Sequence, residues 1–272
     1  MERVRDKVYR GIAMSGSTYS ACAMAKLNIG LSIGEKDGSG MHEVSGVFQT
    51  VSLHDRVALR RTSSREAGIE GPLVPGNIVE KALDELSKEA GMRLSCRITI
   101  SKSIPMAAGM GGGSSDAAAA LRLANRAFAL GMGAADLQRV AERVGNDVSF
   151  LLYGGRAMVS GSASHTIRRM GSPNIYYVIA HPRMELSTRE MYALHDKTGK
   201  GFTQLASELC PDTARLLREL RHGSEECGVT GKGPTVFAGF RTFRECSDAG
   251  MRISSWFRGD AFIERAVGPY IW

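Results

Sequence analysis

Alternating hydrophobic and polar positions predict two long strands in the first quarter of the chain. Residues 21–33 and 43–60 fit this pattern, and the segment 34–40 between them is predicted to turn because it contains three glycines. Side chains alternate sides along a strand, so Lys26 and Asn28 share one face of the first strand. Further strands are predicted at residues 94–101, 175–180 and 235–240.

Apolar residues three and four positions apart predict helices between these strands. The clearest helix begins at Asn77, a residue type that caps helix N-termini, and ends at Gly91, which suits a left-handed C-terminal cap. Further helices are predicted at residues 114–130, 135–144, 187–195 and 212–221. Interleaved strands and helices indicate an α+β fold in two halves. We expect an N-terminal tail and then two domains, over residues 1–20, 21–165 and 166–272.

The composition narrows the class of protein. With 43% hydrophobic and 23% charged residues, the chain is predicted to be globular. No stretch approaches the roughly 20 apolar residues that span a bilayer, and no secretory signal is recognised, so no membrane partner is expected. Five scattered cysteines without a C-x-x-C pair favour a reduced, cytoplasmic location. The six histidines lack metal-ligand spacing, so no protein metal site is predicted.

The strongest local signal is a glycine-rich loop that runs directly into a predicted helix. Residues 105–116 read PMAAGMGGGSSD, and four alanines follow. Glycines let backbone N–H groups approach a ligand closely, and the N-terminus of a helix attracts phosphate. Ser114 and Ser115 add hydroxyl donors, whereas Asp116 suits either the helix start or a catalytic role. The loop lacks the Gly-Lys-Ser/Thr ending of a P-loop. It predicts a phosphate-binding site at the start of the helix.

Three ordered motifs resemble those of the GHMP kinases, the family of galactokinase, homoserine, mevalonate and phosphomevalonate kinases. They are AKLNIGLSI at residues 25–33 with HEVSGVFQTVSLHD at 42–55, the glycine-rich loop, and GVTGKGPTVFA at 228–238. The resemblance implies a two-domain fold, with a domain like ribosomal protein S5 domain 2 that binds ATP and a ferredoxin-like C-terminal domain. ATP and Mg²⁺ would lie in the cleft between them.

Within that family, KLN, HE, VFQ and the NDVSF of residues 146–150 are similar to the branch that acts on 4-diphosphocytidyl-2-C-methyl-D-erythritol. The resemblance implies phosphorylation of the 2-hydroxyl of its methylerythritol moiety, in the non-mevalonate route to isoprenoids. It implies that Lys26 and Asp147 are catalytic. It implies substrate contacts from Asn28, His42, Tyr192, Thr230 and Gly231. It implies nucleotide contacts from Pro105, Gly109, Gly111, Gly112, Gly113, Ser114 and Ser115.

Two positions depart from the family pattern. Met41 stands where a tyrosine commonly stacks on the cytosine, and Lys232 lies in a C-terminal loop of small residues. A kinase for homoserine or mevalonate therefore stays open as an alternative. A catalytically silent RNA-binding module is a second alternative, because the net charge is +7. The presence of Lys26 and Asp147 beside an intact glycine loop favours the enzyme, with no nucleic-acid partner. The sequence leaves monomer and homodimer both open.

Overall fold

The computed structural model describes residues 11–63, 66–71, 77–162 and 165–270. These residues form eleven strands and eight helices. The strands are β1 (Ile12–Ser15), β2 (Thr18–Lys36), β3 (His42–Arg61), β4 (Gly68–Glu70), β5 (Cys96–Ser101), β6 (Arg156–Gly161), β7 (His165–Met170), β8 (Tyr176–His181), β9 (Glu226–Val229), β10 (Val236–Phe240) and β11 (Asp260–Arg265). The helices are α1 (Ile78–Ala90), α2 (Gly112–Ala127), α3 (Ala134–Val144), α4 (Asn146–Leu151), α5 (Thr188–Thr198), α6 (Phe202–Leu209), α7 (Pro211–Arg221) and α8 (Phe243–Ser254).

The first sheet is built around the long hairpin of β2 and β3. Its strand order is β1-β2-β3-β5-β4, and β3 also pairs through residues 44–49 with β6, which carries β7. The hairpin register places Lys26 opposite Thr50 and Asn28 opposite Phe48, so both polar residues lie mid-sheet. Alanine and leucine side chains of α1 to α4 form the core against this sheet. The predicted shared face of Lys26 and Asn28 thus occurs within a buried region of the molecule.

The second sheet has four antiparallel strands in the order β11-β8-β10-β9. Helices α5 to α8 contribute to a separate core with β8 and β10. A third apolar cluster joins the two halves, with Ala25 and Leu27 of β2 meeting Tyr177 of β8 and Phe237 of β10. This contact holds the β2 segment around Lys26 against the second sheet.

Several sequence predictions of local structure are confirmed. Asn77 accepts a hydrogen bond from the Val79 N–H and caps α1, while Gly91 ends it in the left-handed conformation. Helices α4, α6 and α8 were not predicted. The expected N-terminal tail is wrong for residues 12–20, which form β1 and the start of β2, and residues 1–10 lie outside the described residues. The change from one sheet to the other falls between 170 and 176, shortly after the predicted domain boundary.

The far end of the chain returns to the first half. The Tyr270 hydroxyl accepts from the Met24 N–H at 2.9 Å, and the buried Arg122 guanidinium lies over the Tyr270 ring at 3.4 Å from its centroid. Gln49 and Thr50 donate side-chain hydrogen bonds to the Val267 carbonyl. Residues 266–270 therefore form a strap, a segment that holds the second half against β2 and β3. None of the helices in the described ranges is long and apolar enough to cross a membrane.

Candidate active site

A cavity of about 720 Å³ brings together residues from both halves of the chain. Strands β2 and β3, the glycine-rich loop, α4, α5 and the loop between β9 and β10 all contribute to its lining. Eight of the predicted site residues line it: Lys26, Asn28, His42, Gly109, Gly111, Asp147, Tyr192 and Gly231. The long sequence separations among them show that the fold, rather than any single motif, assembles this cavity.

Lys26 is the buried cation at the centre of the cavity. Its residue surface is 5% exposed, and its Nζ donates to Asn28 Oδ1 at 2.5 Å. The same Nζ lies 3.3 Å from Asp147 Oδ2 and 5.0 Å from the centroid of the Phe48 ring. A buried ammonium needs anionic and hydrogen-bonding partners. Asn28 and Asp147 supply both, and they hold the amine in one place.

Asp147 lies in the first turn of α4, immediately after Gly145 and Asn146. Gly145 ends α3 and begins α4, so the two helices follow each other directly. The Asp147 side chain is 33% exposed, which leaves its carboxylate open to the cavity while it pairs with Lys26. A carboxylate in the first turn is also favoured by the helix dipole. The arrangement provides a proton acceptor beside a fixed cation.

His165 is a cavity residue that the sequence reasoning missed. It starts β7, and its ring packs edge-on against Phe48. Burial lowers the pKa of His165, with the Asp147 charge acting in the opposite direction, so the ring is neutral at physiological pH. Its buried Nδ1 has no hydrogen-bond partner among the described residues. No motif surrounds this histidine in the sequence, and only the pairing of β7 with β6 brings it to the cavity.

The glycine-rich loop adopts a conformation that requires glycine at two positions. Gly109 and Gly111 have φ of 74° and 69°, in the left-handed region that favours glycine. A Cβ on Gly109 would lie 2.6 Å from the Thr230 carbonyl oxygen, and one on Gly111 would lie 3.0 Å from Lys26 Cγ. The loop therefore packs its backbone directly against both the lysine and the second loop.

The start of α2 supplies N–H groups of the kind that bind phosphate. Gly111 caps the helix, and the N–H groups of Gly112, Gly113 and Ser114 have no intrahelical acceptor by their position. Ser115 differs from the prediction, because its buried hydroxyl donates to the Met24 carbonyl and its N–H to the Gly111 carbonyl. Both Ser115 donors are thus used within the protein. Pro105, the first residue of the loop, is half-buried and does not line the cavity.

A buried ion-pair cluster lies beside this helix start. Lys102 Nζ contacts Asp55 Oδ2 at 2.5 Å and Asp116 Oδ2 at 2.8 Å, and a Cβ on Gly112 would lie 3.2 Å from that amine. Burial raises the pKa of Asp116 to about 7. Oδ1 of Asp116 has no hydrogen-bond partner among the described residues. Asp116 is therefore part of a buried network, and it does not accept the free N–H groups of its helix as a cap would.

The loop between β9 and β10 contacts the glycine-rich loop. Thr230 is fully buried, and its hydroxyl accepts from the Asn28 N–H at 3.1 Å and donates to the Gly109 carbonyl at 3.1 Å. Gly231 lines the cavity with φ of 58°. The predicted substrate residue Thr230 thus uses its hydroxyl within the protein, whereas Gly231 is open to a ligand. Lys232 also lines the cavity.

At the far end of the cavity, His42 stacks on Tyr192 with ring centroids 5.3 Å apart and planes 13° from parallel. Its Nδ1 lies 2.8 Å from the Gly34 carbonyl and its Nε2 lies 2.7 Å from Asp196 Oδ1. The resemblance implied that His42 and Tyr192 both contact the substrate, and in the structure the His42 ring covers one face of the Tyr192 ring.

Asp196 was also missed by the sequence reasoning. Its carboxylate lies 2.7 Å from the Lys36 amine and also contacts His42. The hydrogen bond from Lys36 is the main reason that the pKa of Asp196 lies below its ordinary value. Asp196 comes four residues after Tyr192 on α5, which places both on one face of the helix. That spacing was available in the sequence as a signal. Met41, 44% exposed, lines the same end of the cavity.

Comparisons with known proteins agree on one family. Residues 77–155 match the model of the GHMP kinases N terminal domain. A 4-diphosphocytidyl-2-C-methyl-D-erythritol kinase of Pelotomaculum thermopropionicum is 33% identical over 251 residues, covering 80% of this chain and 88% of the relative. The enzyme of the same name from Shouchella clausii is 32% identical, with 80% and 84% covered.

Solved structures give the same result for the fold. A crystal structure of 4-(cytidine 5'-diphospho)-2C-methyl-D-erythritol kinase superposes with a TM-score of 0.78 at 25% identity, covering 92% of this chain and 99% of the other. A homoserine kinase from Cytophaga hutchinsonii gives a TM-score of 0.72 at 17% identity, with 96% and 99% covered. At that identity the second likeness concerns the fold alone.

Proposed function

The chain belongs to the 4-diphosphocytidyl-2-C-methyl-D-erythritol kinases of the GHMP kinase family, and we propose from this that Lys26 and Asp147 carry its phosphoryl transfer. The enzyme is an ATP-dependent phosphotransferase with an alcohol acceptor. It transfers the γ-phosphate of ATP to the 2-hydroxyl of 4-diphosphocytidyl-2-C-methyl-D-erythritol, a step in the non-mevalonate route to isoprenoids. The observation that carries the residue assignment is the 3.3 Å pair of Lys26 and Asp147 within a cavity that continues to His42 and Tyr192.

Asp147 acts as the proton acceptor. As the acceptor oxygen forms its bond to the γ-phosphorus, its O–H bond breaks, the proton passes to the carboxylate and ADP leaves with the electron pair of the broken P–O bond. General-base assistance of this kind is worth about 10²- to 10⁴-fold in rate. The exposed part of the Asp147 side chain supports this role, because a substrate hydroxyl can reach it from the cavity.

Lys26 acts as a fixed positive charge beside the developing negative charge. Phosphoryl transfer asks for little covalent chemistry from the protein, so positioning and electrostatics dominate. The bond from Nζ to Asn28 Oδ1 fixes the amine before the substrate arrives, which is the preorganisation that makes such charges effective. Asn28 is accordingly a residue that orients Lys26 as well as a candidate contact for substrate.

The glycine-rich loop and the start of α2 bind the phosphates of ATP. The N–H groups of Gly112, Gly113 and Ser114 point along a helix axis whose N-terminal end carries partial positive charge. Gly109 and Gly111 allow the loop backbone to approach without a Cβ in the way. Pro105 shapes the entry into the loop, and Ser115 contributes by joining α2 to β2 rather than by touching phosphate.

Mg²⁺ fits this site as an ion that arrives with the nucleotide. The described residues contain no group of three side chains arranged to hold a metal, and Mg²⁺ is usually held by one or two carboxylates together with substrate phosphates. The unpartnered Oδ1 of Asp116 at the start of α2 is an oxygen donor of the required kind. Asp116 would hold the ion together with the phosphates of the nucleotide. When bound, Mg²⁺ neutralises charge that develops on the phosphates.

The aromatic end of the cavity binds the cytosine of the substrate. His42 and Tyr192 present two rings there, and Gly231 borders the passage towards Lys26. This end supports a nucleotide-linked substrate over homoserine or mevalonate, which lack an aromatic group. The finer descriptions of the two domains, S5-like over residues 21–165 and ferredoxin-like over 166–272, belong to this proposal. So do the cytoplasmic location and the absence of a nucleic-acid partner.

A direct assay tests the substrate. Purified enzyme with ATP and Mg²⁺ is offered 4-diphosphocytidyl-2-C-methyl-D-erythritol, homoserine or mevalonate, and ADP release and the phosphorylated product are measured. We expect turnover with the first compound and a kcat/KM at least about 100-fold lower with the others. ATP-dependent turnover of homoserine or mevalonate with equal efficiency would contradict the substrate assignment. RNA binding without turnover of any alcohol would favour the silent module.

A further inference from the structure

Three successive carbonyl groups of the glycine-rich loop are each held by a hydrogen bond from outside the loop. The carbonyls of residues 108–110 accept in turn from the Thr235 hydroxyl at 2.7 Å, the Thr230 hydroxyl at 3.1 Å and the Lys26 N–H at 2.9 Å. Two of these donors belong to the second half of the chain. The loop that begins in the first half is therefore anchored chiefly by the second half.

This anchoring determines where the loop N–H groups point. A trans peptide is planar, so its N–H points away from its own carbonyl. Fixing the carbonyls of residues 108–110 thus fixes the N–H groups of residues 109–111. Gly109 and Gly111 have little conformational preference of their own, and Ala107 has φ of 57°, which is unfavourable for an alanine. The loop sequence alone leaves this conformation undetermined, so external bonds must select it.

Thr235 is itself oriented by a second residue. It is fully buried, and its single hydroxyl proton goes to the Ala108 carbonyl, so it must accept the bond from His181 Nδ1 at 2.9 Å. His181 therefore carries its proton on Nδ1. Burial lowers the pKa of His181, which agrees with a neutral ring bearing one proton. Two hydrogen bonds therefore run in one direction: His181 of β8 donates to Thr235, directly before β10, and Thr235 donates to the Ala108 carbonyl of the loop.

We propose that Thr235, oriented by His181, is a positioning residue that sets the phosphate-binding conformation of the glycine-rich loop from the second half of the enzyme. Neither side chain lines the cavity, so the effect passes through the Ala108 carbonyl. The inference rests on the proposed function only in taking the loop as the site of the ATP phosphates. It makes nucleotide affinity depend on the docking of the two halves.

Thr235→Val tests the proposal, because it keeps the shape of the side chain and removes the hydroxyl. Thr235→Ser is the conservative rescue. Ser207→Ala is the control, since Ser207 also lies in the second half, is half-buried and donates to a carbonyl, that of Thr203 at 2.7 Å. His181→Leu and His181→Asn form a second pair, in which only asparagine can replace the Nδ1 donor. The second pair keeps the proposal testable should Thr235→Val not fold.

Two readouts are measured on the whole chain. The first is the calorimetric Kd of a non-hydrolysable ATP analogue, together with the KM for ATP and kcat. The second is hydrogen exchange of the amides of residues 107–113 without nucleotide. Loss of one buried hydrogen bond corresponds to about a 10-fold change. We expect Thr235→Val and His181→Leu to weaken the analogue and speed this exchange about 10-fold, with kcat changed less than about 3-fold. Thr235→Ser, His181→Asn and Ser207→Ala should stay within about 2-fold of wild type.

The outcomes separate this inference from the proposed function. Equal changes for Thr235→Val and Ser207→Ala would mean that Thr235 has only a general structural role, and the proposal would be wrong. Unchanged affinity and unchanged exchange in both Thr235→Val and His181→Leu would also overturn it. A wild-type enzyme that binds the analogue but phosphorylates none of the tested alcohols would contradict the proposed function, while the affinity and exchange comparison would still decide the role of Thr235.

Discussion

Replacement of Gly111 by alanine tests how closely the glycine-rich loop and Lys26 depend on each other. Gly111 has φ of 69°, and a Cβ there would lie 3.0 Å from Cγ and 3.1 Å from Cε of Lys26. Gly131 provides the control, because it has nearly the same φ of 67° and a Cβ there would meet nothing within 4 Å. Comparing the two variants separates backbone strain from displacement of the lysine.

The expected magnitudes follow from these distances. An L side chain in the left-handed region costs about 1 to 2 kcal/mol, so both variants should lose a similar amount of stability. At position 111 the lysine must also shift by a few tenths of an ångström to restore ordinary contact. The Lys26–Asp147 distance of 3.3 Å leaves little room before the roughly 4 Å limit of an ion pair. A misplacement of about 1 Å can lower a rate about 100-fold, so for this smaller shift we expect kcat of Gly111→Ala to fall about 10-fold.

The assay is steady-state kinetics with both substrates, beside thermal unfolding and calorimetric ATP binding. Gly131→Ala should unfold earlier yet retain its kinetic constants. Gly111→Val, with a larger side chain, should additionally weaken ATP binding by an order of magnitude or more while the protein stays folded. If Gly111→Ala changed kcat no more than Gly131→Ala does, the loop would not be coupled to Lys26, and the reasoning would be refuted.

Three further predictions concern single side chains. Asp147→Asn should lower kcat about 10²- to 10⁴-fold with little change in KM. The double variant with Lys26→Met should be little worse than the poorer single variant, because residues that act as a unit are not additive. If Asp147→Asn kept more than half of the wild-type kcat, Asp147 would be excluded as the base. Met41→Tyr should lower the KM for the cytidine substrate about 2- to 12-fold without changing that for ATP, because one aromatic stack is worth about 0.5 to 1.5 kcal/mol; an unaltered or higher substrate KM would mean that residue 41 does not face the base. Burial raises the pKa of Asp116 to about 7 from 3.8, so the native state holds a proton that the unfolded chain has released, and stability falls as pH rises through that window. Asp116→Asn should remove up to about 1.4 kcal/mol per pH unit of this slope in urea unfolding at a series of pH values, and an unchanged slope would show that Asp116 is ionised in the folded protein.

The sequence predicted those parts of the site that lie within single motifs. The period of two in β2 placed Lys26 and Asn28 on one face, and the structure places both side chains in the cavity. Cap residues identified the ends of α1 correctly. The Thr242/Glu245 capping box at the start of α8 was equally readable and was overlooked. Helix α4 is too short for an apolar period to emerge, so Asp147 was recognised only through its motif.

Contacts that join distant segments could not be predicted from local patterns. The hydrogen bond from Thr235 to the Ala108 carbonyl spans 127 positions. Neither a threonine nor an alanine indicates from the sequence which partner it has. Ser115 was expected to bind phosphate because hydroxyls near a helix start often do so, but the packing of α2 on β2 turns it towards the Met24 carbonyl. The stacking of His42 on Tyr192 similarly depends on how α5 approaches the β2–β3 hairpin.

The strap formed by residues 266–270 has a consequence for the order of events during synthesis. Tyr270 contacts the Met24 N–H, the Arg122 guanidinium and the Tyr153 carbonyl. It is synthesised almost 250 positions after Met24. Until then, the Met24 N–H lacks its acceptor and Arg122 lacks the ring that covers it. A nascent chain ending near residue 170 would contain every strand of the first sheet, yet the surface that Tyr270 covers would still be exposed. The first half must therefore remain incompletely packed, and open to chaperones or proteases, until Tyr270 has been synthesised.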